Sequence, residues 1–227
     1  MIRFKEIEAR AAARKGGADA LEALLLKPSD RATIEAIPED RWLAEMTRAV
    51  FQSGFSWELI TKRWPSFEAA FEGFDVTRWI FMSDDDLDHL LKAPGIIANA
   101  QKIRSVGGNA RFLSDLVKDH GSVGAYFAAS PLERYIDLCQ DMKARGSRLG
   151  GVTGQYVLRR MGVDALILTS SVVKVLVATG IVSGPPTSKK DLAAVQAAIK
   201  TWHAESGRGL TQMSQILAFS TGQIPTA

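Results

Sequence analysis

One cysteine in the whole chain, Cys139, excludes an internal disulfide framework and makes a reducing cytoplasm the expected location. Tyr135, Leu138 and Met142 flank it at helical spacing, which reads Cys139 as a core residue rather than a nucleophile. The histidines are few and scattered (His89, His120 and His203), so with one cysteine they cannot supply four zinc ligands, and no metal is expected. No apolar run reaches the length of about 18 residues that a membrane span needs. The opening Met-Ile-Arg-Phe-Lys-Glu-Ile-Glu is too charged for a secretory signal. Internal repeats and low-complexity segments are absent as well. Charge imbalance is slight: a net +3 and a pI near 9.0 do not require a nucleic-acid partner, yet they allow a local basic patch.

What the chain does have is an ordinary soluble composition, 46% hydrophobic and 23% charged, over 227 residues. That length buries a substantial core as one large domain or two closely packed lobes. Helical patterns dominate. Residues 3–14 and 18–26 read as short helices separated by Gly16-Gly17, and Pro28 to Pro38 as a connector. Pro38 starts a helix to about Gln52. Ser56 caps another that Trp64-Pro65 ends, and Ser66 opens the next. Ser83-Asp84-Asp85-Asp86 is an acidic first turn that suits a helix dipole; it lacks the spaced ligands of a calcium loop. Gly95 to His120 reads as one helix or a bent pair around Gly107-Gly108. Ser122 to Ala129 and Leu132 to Lys143 follow as helices. Asp164 to Val182 contains a β-branched run, but no partner strand is evident, so a buried helix is expected there. Ser188 with Asp191 caps a helix to about Glu205, and Leu210 to Phe219 is the last. The fold class is all-α.

The stretch from Arg148 to Gly162 is the most informative. Gly150 and Gly151 open a short helix that carries Arg159 and Arg160. Small residues at a helix start let a phosphate approach free backbone N–H groups at the positive end of the dipole. From Lys143 to Lys174 the charges are Lys143, Arg145, Arg148, Arg159, Arg160 and Lys174 against Asp164 alone. That pattern suits a DNA backbone, and it equally describes a helix–turn–helix corner with a solvated basic face.

Gln52-Ser53-Gly54-Phe55-Ser56-Trp57 resembles the Gln-Ala-Gly-Leu-Ser-Trp segment of the DNA-3-methyladenine glycosylase I family. Gly95-Ile96-Ile97, Lys102-Ile103 and Asn109-Ala110 are similar to that family's Gly-Ile-Ile, Lys-Ile and Asn-Ala at the same spacing. Gly151 to Gly162 resembles the segment that forms its DNA-gripping helix–hairpin–helix. The resemblance runs from about Glu45 to Val173 and marks a divergent member. It implies an all-α helix–hairpin–helix glycosylase fold over residues 1–227, two closely packed helical lobes around a cleft, with the hairpin at about 132–162. It also implies excision of alkylated purines such as 3-methyladenine from double-stranded DNA without a redox cofactor; for this chain a monomer with no cofactor is expected.

Extrusion of a base calls for an aromatic pocket. Trp42, Phe51, Phe55 and Trp57 offer ring surface near one helix end, and the resemblance places Trp57 at the base-stacking position. Trp42, Phe51 and Phe55 can equally be core. Gln52 has an amide able to read a purine edge. Gly150, Gly151 and Thr153, with Ser171 and Lys174, are the expected DNA contacts.

The departures bear on catalysis. The family's pocket glutamate lies eight positions before the tryptophan, where this chain has Ala49. The wider superfamily's catalytic aspartate matches a position near Thr169, and Asp164 reads as a capping or solvated loop acid. Glu45, one helical turn before Ala49, is the substitute carboxylate, and burial among Trp42 and Met46 would raise its pKa. A structural ion pair with Arg41 or Arg48 is the alternative role. The expected activity is a monofunctional glycosylase, and the other reading is an inactive DNA- or lesion-binding module of the same fold.

Overall fold

The computed structural model describes residues 2–129 and 132–221, and all of its regular elements are helical. In chain order they are α1 (Phe4–Lys15), α2 (Ala18–Leu24), α3 (Arg31–Glu35), α4 (Glu39–Gln52), α5 (Trp57–Ala70), α6 (Val76–Trp79) and α7 (Asp84–Lys92). There follow α8 (Ala100–His120), α9 (Val123–Ala128), α10 (Tyr135–Arg145), α11 (Val152–Arg160), α12 (Ser170–Ala178), α13 (Lys189–Ser206) and α14 (Leu210–Phe219). The chain divides into two compact units. The first comprises the described parts of Met1–Ser29, Ser130–Leu138 and Asp164–Ala227, and the second Asp30–Ala129 with Cys139–Val163. The helix α3 lies within the segment expected to be a connector; Asp30 starts it by accepting from the Thr33 N–H at 2.7 Å.

In the first unit α1 packs on α2, α13 and α14, and α12 packs on α14. Phe4, Ile7 and Ala11 form the buried stripe of α1, with the Phe4 ring 5.7 Å from that of Trp202. The expected helix from Asp164 to Val182 is shorter than its pattern suggests: only Ser170–Ala178 is helical, and 163–169 run without regular structure. The cause is lateral bonding. The Asp164 carboxylate accepts from the Leu210 and Thr211 N–H groups at 2.9 and 2.7 Å, capping α14. The Ala165 and Ile167 N–H groups donate to the Thr211 and Ser214 hydroxyls at 3.1 and 3.0 Å, which removes them from any helical ladder. Thr169 then caps α12 by accepting from Val172 N–H at 3.3 Å.

The second unit is built on α8, around which α4, α6, α7 and α9 pack. This helix runs unbroken through Gly107 and Gly108, so there is no bent pair. Its glycines serve close approach instead: a Cβ on Gly107 would sit 2.8 Å from the Met82 Cβ, and one on Gly108 2.8 Å from the Ser147 Cβ. The acidic turn does cap α7, through a reciprocal box between Ser83 and Asp86.

Pro65 does not end a helix. Instead α5 continues through it from Trp57 to Ala70. Ile60, Trp64 and Phe67 make one buried stripe across the proline, while Pro65 itself is exposed. Packing of that stripe outweighs the local break. Pro65→Ala should therefore stabilise the protein by about 1–3 kcal/mol, the usual helix-interior difference between the two residues. A raised urea midpoint at unchanged slope checks this; a lower midpoint would show that the kink itself is needed for packing.

Candidate functional site

The second unit's site begins where α4 ends. Its N-terminal turn carries Glu39 and Asp40, and its inner face buries Trp42, Leu43, Met46, Ala49, Val50 and Phe51. At its C-terminus, unpaired carbonyls meet the ammonium of Lys102 on α8. Lys102 Nζ donates to the carbonyls of Val50 (2.8 Å), Phe51 (3.2 Å) and Ser53. Only 5% of Lys102 is exposed, and burial, with the charge of Arg148 behind it, pulls its pKa below the ordinary lysine value. The same ammonium lies 4.6 Å from the centre of the Phe55 ring. Residues 53–56 form a tight turn, and Ser56 caps α5 through the Leu59 N–H at 3.4 Å. Trp57, the first residue of α5, is left 48% exposed.

Opposite lies α11. The loop between α10 and α11 is held to α8 by Asn109, whose amide accepts from Ser147 N–H (2.7 Å) and donates to Ser147 C=O (3.2 Å). Leu149 is buried, and a Cβ at Gly154 would lie 2.4 Å from the Leu149 carbonyl, so only glycine allows this loop to fold onto α11. The N-cap of α11 is Gly151, at φ +61°, and no side chain caps that end. The N–H groups of its first turn thus lack a side-chain acceptor.

Between these parts is a pocket of about 120 Å³ lined by Ala49, Gln52, Ser53, Trp57, Val152, Thr153, Tyr156 and Arg160. Two aromatic walls meet edge to face, Trp57 and Tyr156, with ring centres 5.1 Å apart. The Arg160 guanidinium stands over both, 4.5 Å from Trp57 and 5.4 Å from Tyr156. Arg160 Nη1 donates to Glu45 Oε1 and to Gln52 Oε1, both at 2.7 Å. Glu45 lies behind that arginine. Burial raises its pKa, and the hydrogen bond and charge of Arg160 oppose the rise.

Of the expected base-binding residues, Trp57 and Gln52 line the pocket. Trp42 and Phe51 are wholly buried, Trp42 stacked on Phe127 at 4.7 Å and Phe51 edge-on to Phe67 at 4.8 Å; their faces are committed to the core. Phe55 is engaged with Lys102. Glu45 pairs with Arg160, whereas Arg48 reaches it only at 3.9 Å and Arg41 turns to Asp40 and Glu68. Gly150, Gly151 and Thr153 gather at the start of α11, while Ser171 and Lys174 sit on α12 in the first unit. The basic cluster is thinner than its sequence suggests. Arg160 is turned inward, and Arg145 is paired with Asp119 and Asp141. Sequence reasoning missed Tyr156 and the inward Arg160, although Thr153, Tyr156 and Arg160 recur at the spacing of one helical face. Among the described residues, no three His, Cys, Asp or Glu side chains gather as a metal site, and no helix is long and apolar enough to cross a membrane.

Comparison with known proteins bears on this unit. Residues 37–147 match the methyladenine glycosylase family. Escherichia coli (strain K12) DNA-3-methyladenine glycosylase 1 is 35% identical over 60 residues, 26% of this chain and 32% of that enzyme, so the match spans about a third of its length. A crystal structure of 3-methyladenine DNA glycosylase I is similar with a TM-score of 0.48 at 20% identity, over 64% of this chain and 87% of that one. The Staphylococcus aureus 3-methyladenine DNA glycosylase I gives 0.49 at 18% identity, over 68% and 92%. The residues that match this family's model, 37–147, hold α4, the turn at 53–56 and α8.

Proposed function

We propose that the protein is a monofunctional DNA glycosylase, hydrolysing the N-glycosidic bond of alkylated purines such as 3-methyladenine in double-stranded DNA, as a monomer. The observation that supports this best is one pocket edged both by the exposed face of Trp57 and by the uncapped first turn of α11. A base stacked on a tryptophan gains about 1–3 kcal/mol. A phosphate at a helix start is held by free N–H groups and the dipole. Extrusion of a nucleotide requires both at once: a place for the base and a grip on the strand beside it.

In this reading Trp57 and Tyr156 wall the extruded base, and Gln52, whose Oε1 is held by Arg160, turns its amide N–H groups to the base edge. Gly150, Gly151 and Thr153 hold the backbone phosphate, and Ser171 and Lys174 are further backbone contacts. Glu45 is a positioning residue, acting on the base through Arg160 and Gln52. A 3-methylated purine is positively charged before its bond breaks, so stacking, orientation and exclusion of water carry much of its release. The absence of a pocket carboxylate at Ala49 is compatible with that chemistry.

Trp57→Ala should reduce release of 3-methyladenine from methylated duplex at least tenfold while sparing non-specific duplex binding; equal loss of both would place Trp57 in the fold rather than in the pocket. At Gly151 a Cβ meets nothing within 4 Å, but the positive φ strains any side chain. Gly151→Leu should weaken duplex binding several-fold in low salt with unchanged helical circular dichroism; retained affinity would remove the hairpin as the grip. Glu45→Gln should slow 3-methyladenine release at least tenfold, about 1.4 kcal/mol in barrier. The same variant tests the electrostatics. Because folding raises the Glu45 pKa above its ordinary 4.5, the folded state binds the proton more tightly, and the stability this contributes is present at low pH and lost as pH rises through the raised value. Urea titrations between about pH 4 and pH 7 should therefore show the wild type losing stability relative to Glu45→Gln as pH increases, and the opposite slope would overturn that assignment.

A further inference from the structure

Arg160 is the one charged residue that lines the pocket, in a place where a cationic base would meet it directly. Its bonds are one-sided. Nη1 takes both Glu45 and Gln52, while Nε and Nη2 have no hydrogen-bond partner among the described residues. Those two atoms form the side edge of the guanidinium, two parallel N–H donors in a fixed fork. Glu45 and Gln52 pin the group at Nη1, and Trp57 supports its face at 4.5 Å. A pinned planar fork with a free edge at a pocket wall is a reading device for two adjacent acceptors. On a purine those acceptors are O6 and N7, the pair to which arginine bonds bidentately in the major groove. Adenine derivatives present an amino donor where O6 would be, and set it against a donor on the arginine.

Resting on the proposed glycosylase activity, we infer that Arg160 is the specificity-determining residue of the pocket and that it admits an uncharged 6-oxopurine, hypoxanthine, as a substrate. The charges surrounding the site agree. Glu45 offsets Arg160, Arg48 lies 3.9 Å from the same carboxylate, and the side chains lining the pocket include no carboxylate to attract a cation. An uncharged purine is a poorer leaving group than a methylated one, and the same fork assists it. A water oxygen bonds to C1′ as the C1′–N9 bond breaks, and the bonding pair passes into the purine. Hydrogen bonds at O6 and N7 stabilise the charge that develops there. The water proton ends on the released base, and Arg160 keeps its own. Guanine offers the same two acceptors, but its intact pair resists extrusion, whereas hypoxanthine opposite thymine is a mismatch and leaves the stack at lower cost.

The test measures release of hypoxanthine from a duplex with hypoxanthine opposite thymine, and of 3-methyladenine from methylated duplex, by the wild type, Arg160→Gln and Arg160→Lys. The wild type should release both. Arg160→Gln should lower hypoxanthine release at least tenfold more than it lowers 3-methyladenine release, because the fork reads O6 and N7 directly and serves 3-methyladenine only by holding Gln52. Arg160→Lys keeps the charge and a bond to Glu45 but lacks the fork, so it should behave like Arg160→Gln toward hypoxanthine and guards against a folding defect. A wild type that releases 3-methyladenine and leaves hypoxanthine untouched overturns this inference and leaves the proposed function standing. Equal losses on both bases in the two variants make Arg160 structural and also overturn it. If neither base is released by the wild type, the proposed function fails and the inference fails with it.

Discussion

The arrangement of the site depends on a buried ammonium at a helix C-terminus. Lys102 gathers carbonyls from Val50, Phe51 and Ser53 just where α4 stops. A helix end concentrates negative partial charge and leaves carbonyls without partners; a cation placed there satisfies both needs. Desolvation of the lysine is the opposing cost, visible in its depressed pKa. The carbonyls and the face of Phe55 offset that cost. With α4 stopped at this point, Gln52 is its last residue and Trp57 opens α5 beyond a short turn. An apolar residue at position 102 would leave three carbonyls competing for water, and the turn that aims Trp57 would lose its anchor.

The same helix fixes the other wall. Asn109 lies seven residues, or about 10.5 Å, along α8 from Lys102. It holds Ser147 by a reciprocal pair of hydrogen bonds, and Gly108 lets that residue approach closely. One helix therefore sets the separation between the turn before Trp57 and the loop between α10 and α11. Neither loop needs to be rigid alone. The pocket's dimensions come from the spacing of two anchors on α8, which explains why Lys102 and Asn109, costly to bury by themselves, are kept there.

Much of this was legible in the residues. Helical periodicity located α1, α4, α8, α13 and α14, and Ser56, Ser83 and Ser188 marked the starts of α5, α7 and α13, because capping chemistry is local. Gly150-Gly151 marked the start of α11 for the same reason. What escaped reading was decided at long range. Pro65 was overruled by a buried stripe on both sides of it, and 163–169 were drawn out of helix by hydroxyls and N–H groups of α14, some 46 residues away. Lys102 was recognisable as part of a family pattern, but its role lies in carbonyls about 50 positions earlier, which no local spacing encodes. Trp42 and Phe51 look like Trp57 in sequence. Only the three-dimensional packing separates a ring committed to Phe127 or Phe67 from one left open to a pocket.

The relation between Ala49, Glu45 and Arg160 follows from the geometry of two facing helices. Glu45 and Ala49 share one face of α4 and are displaced by about 6 Å along it. A carboxylate at the earlier position cannot line the pocket itself, and buried without a partner it would remain protonated. Arg160, at the end of α11, spans that gap: it satisfies Glu45 and Gln52 with one nitrogen and stands over both aromatic walls. The acid and the inward arginine are therefore a single arrangement, and replacing one of them alone would leave an unpaired buried acid or an unpaired cation. The pocket wall thus carries a cation that is held in place by a buried acid behind it.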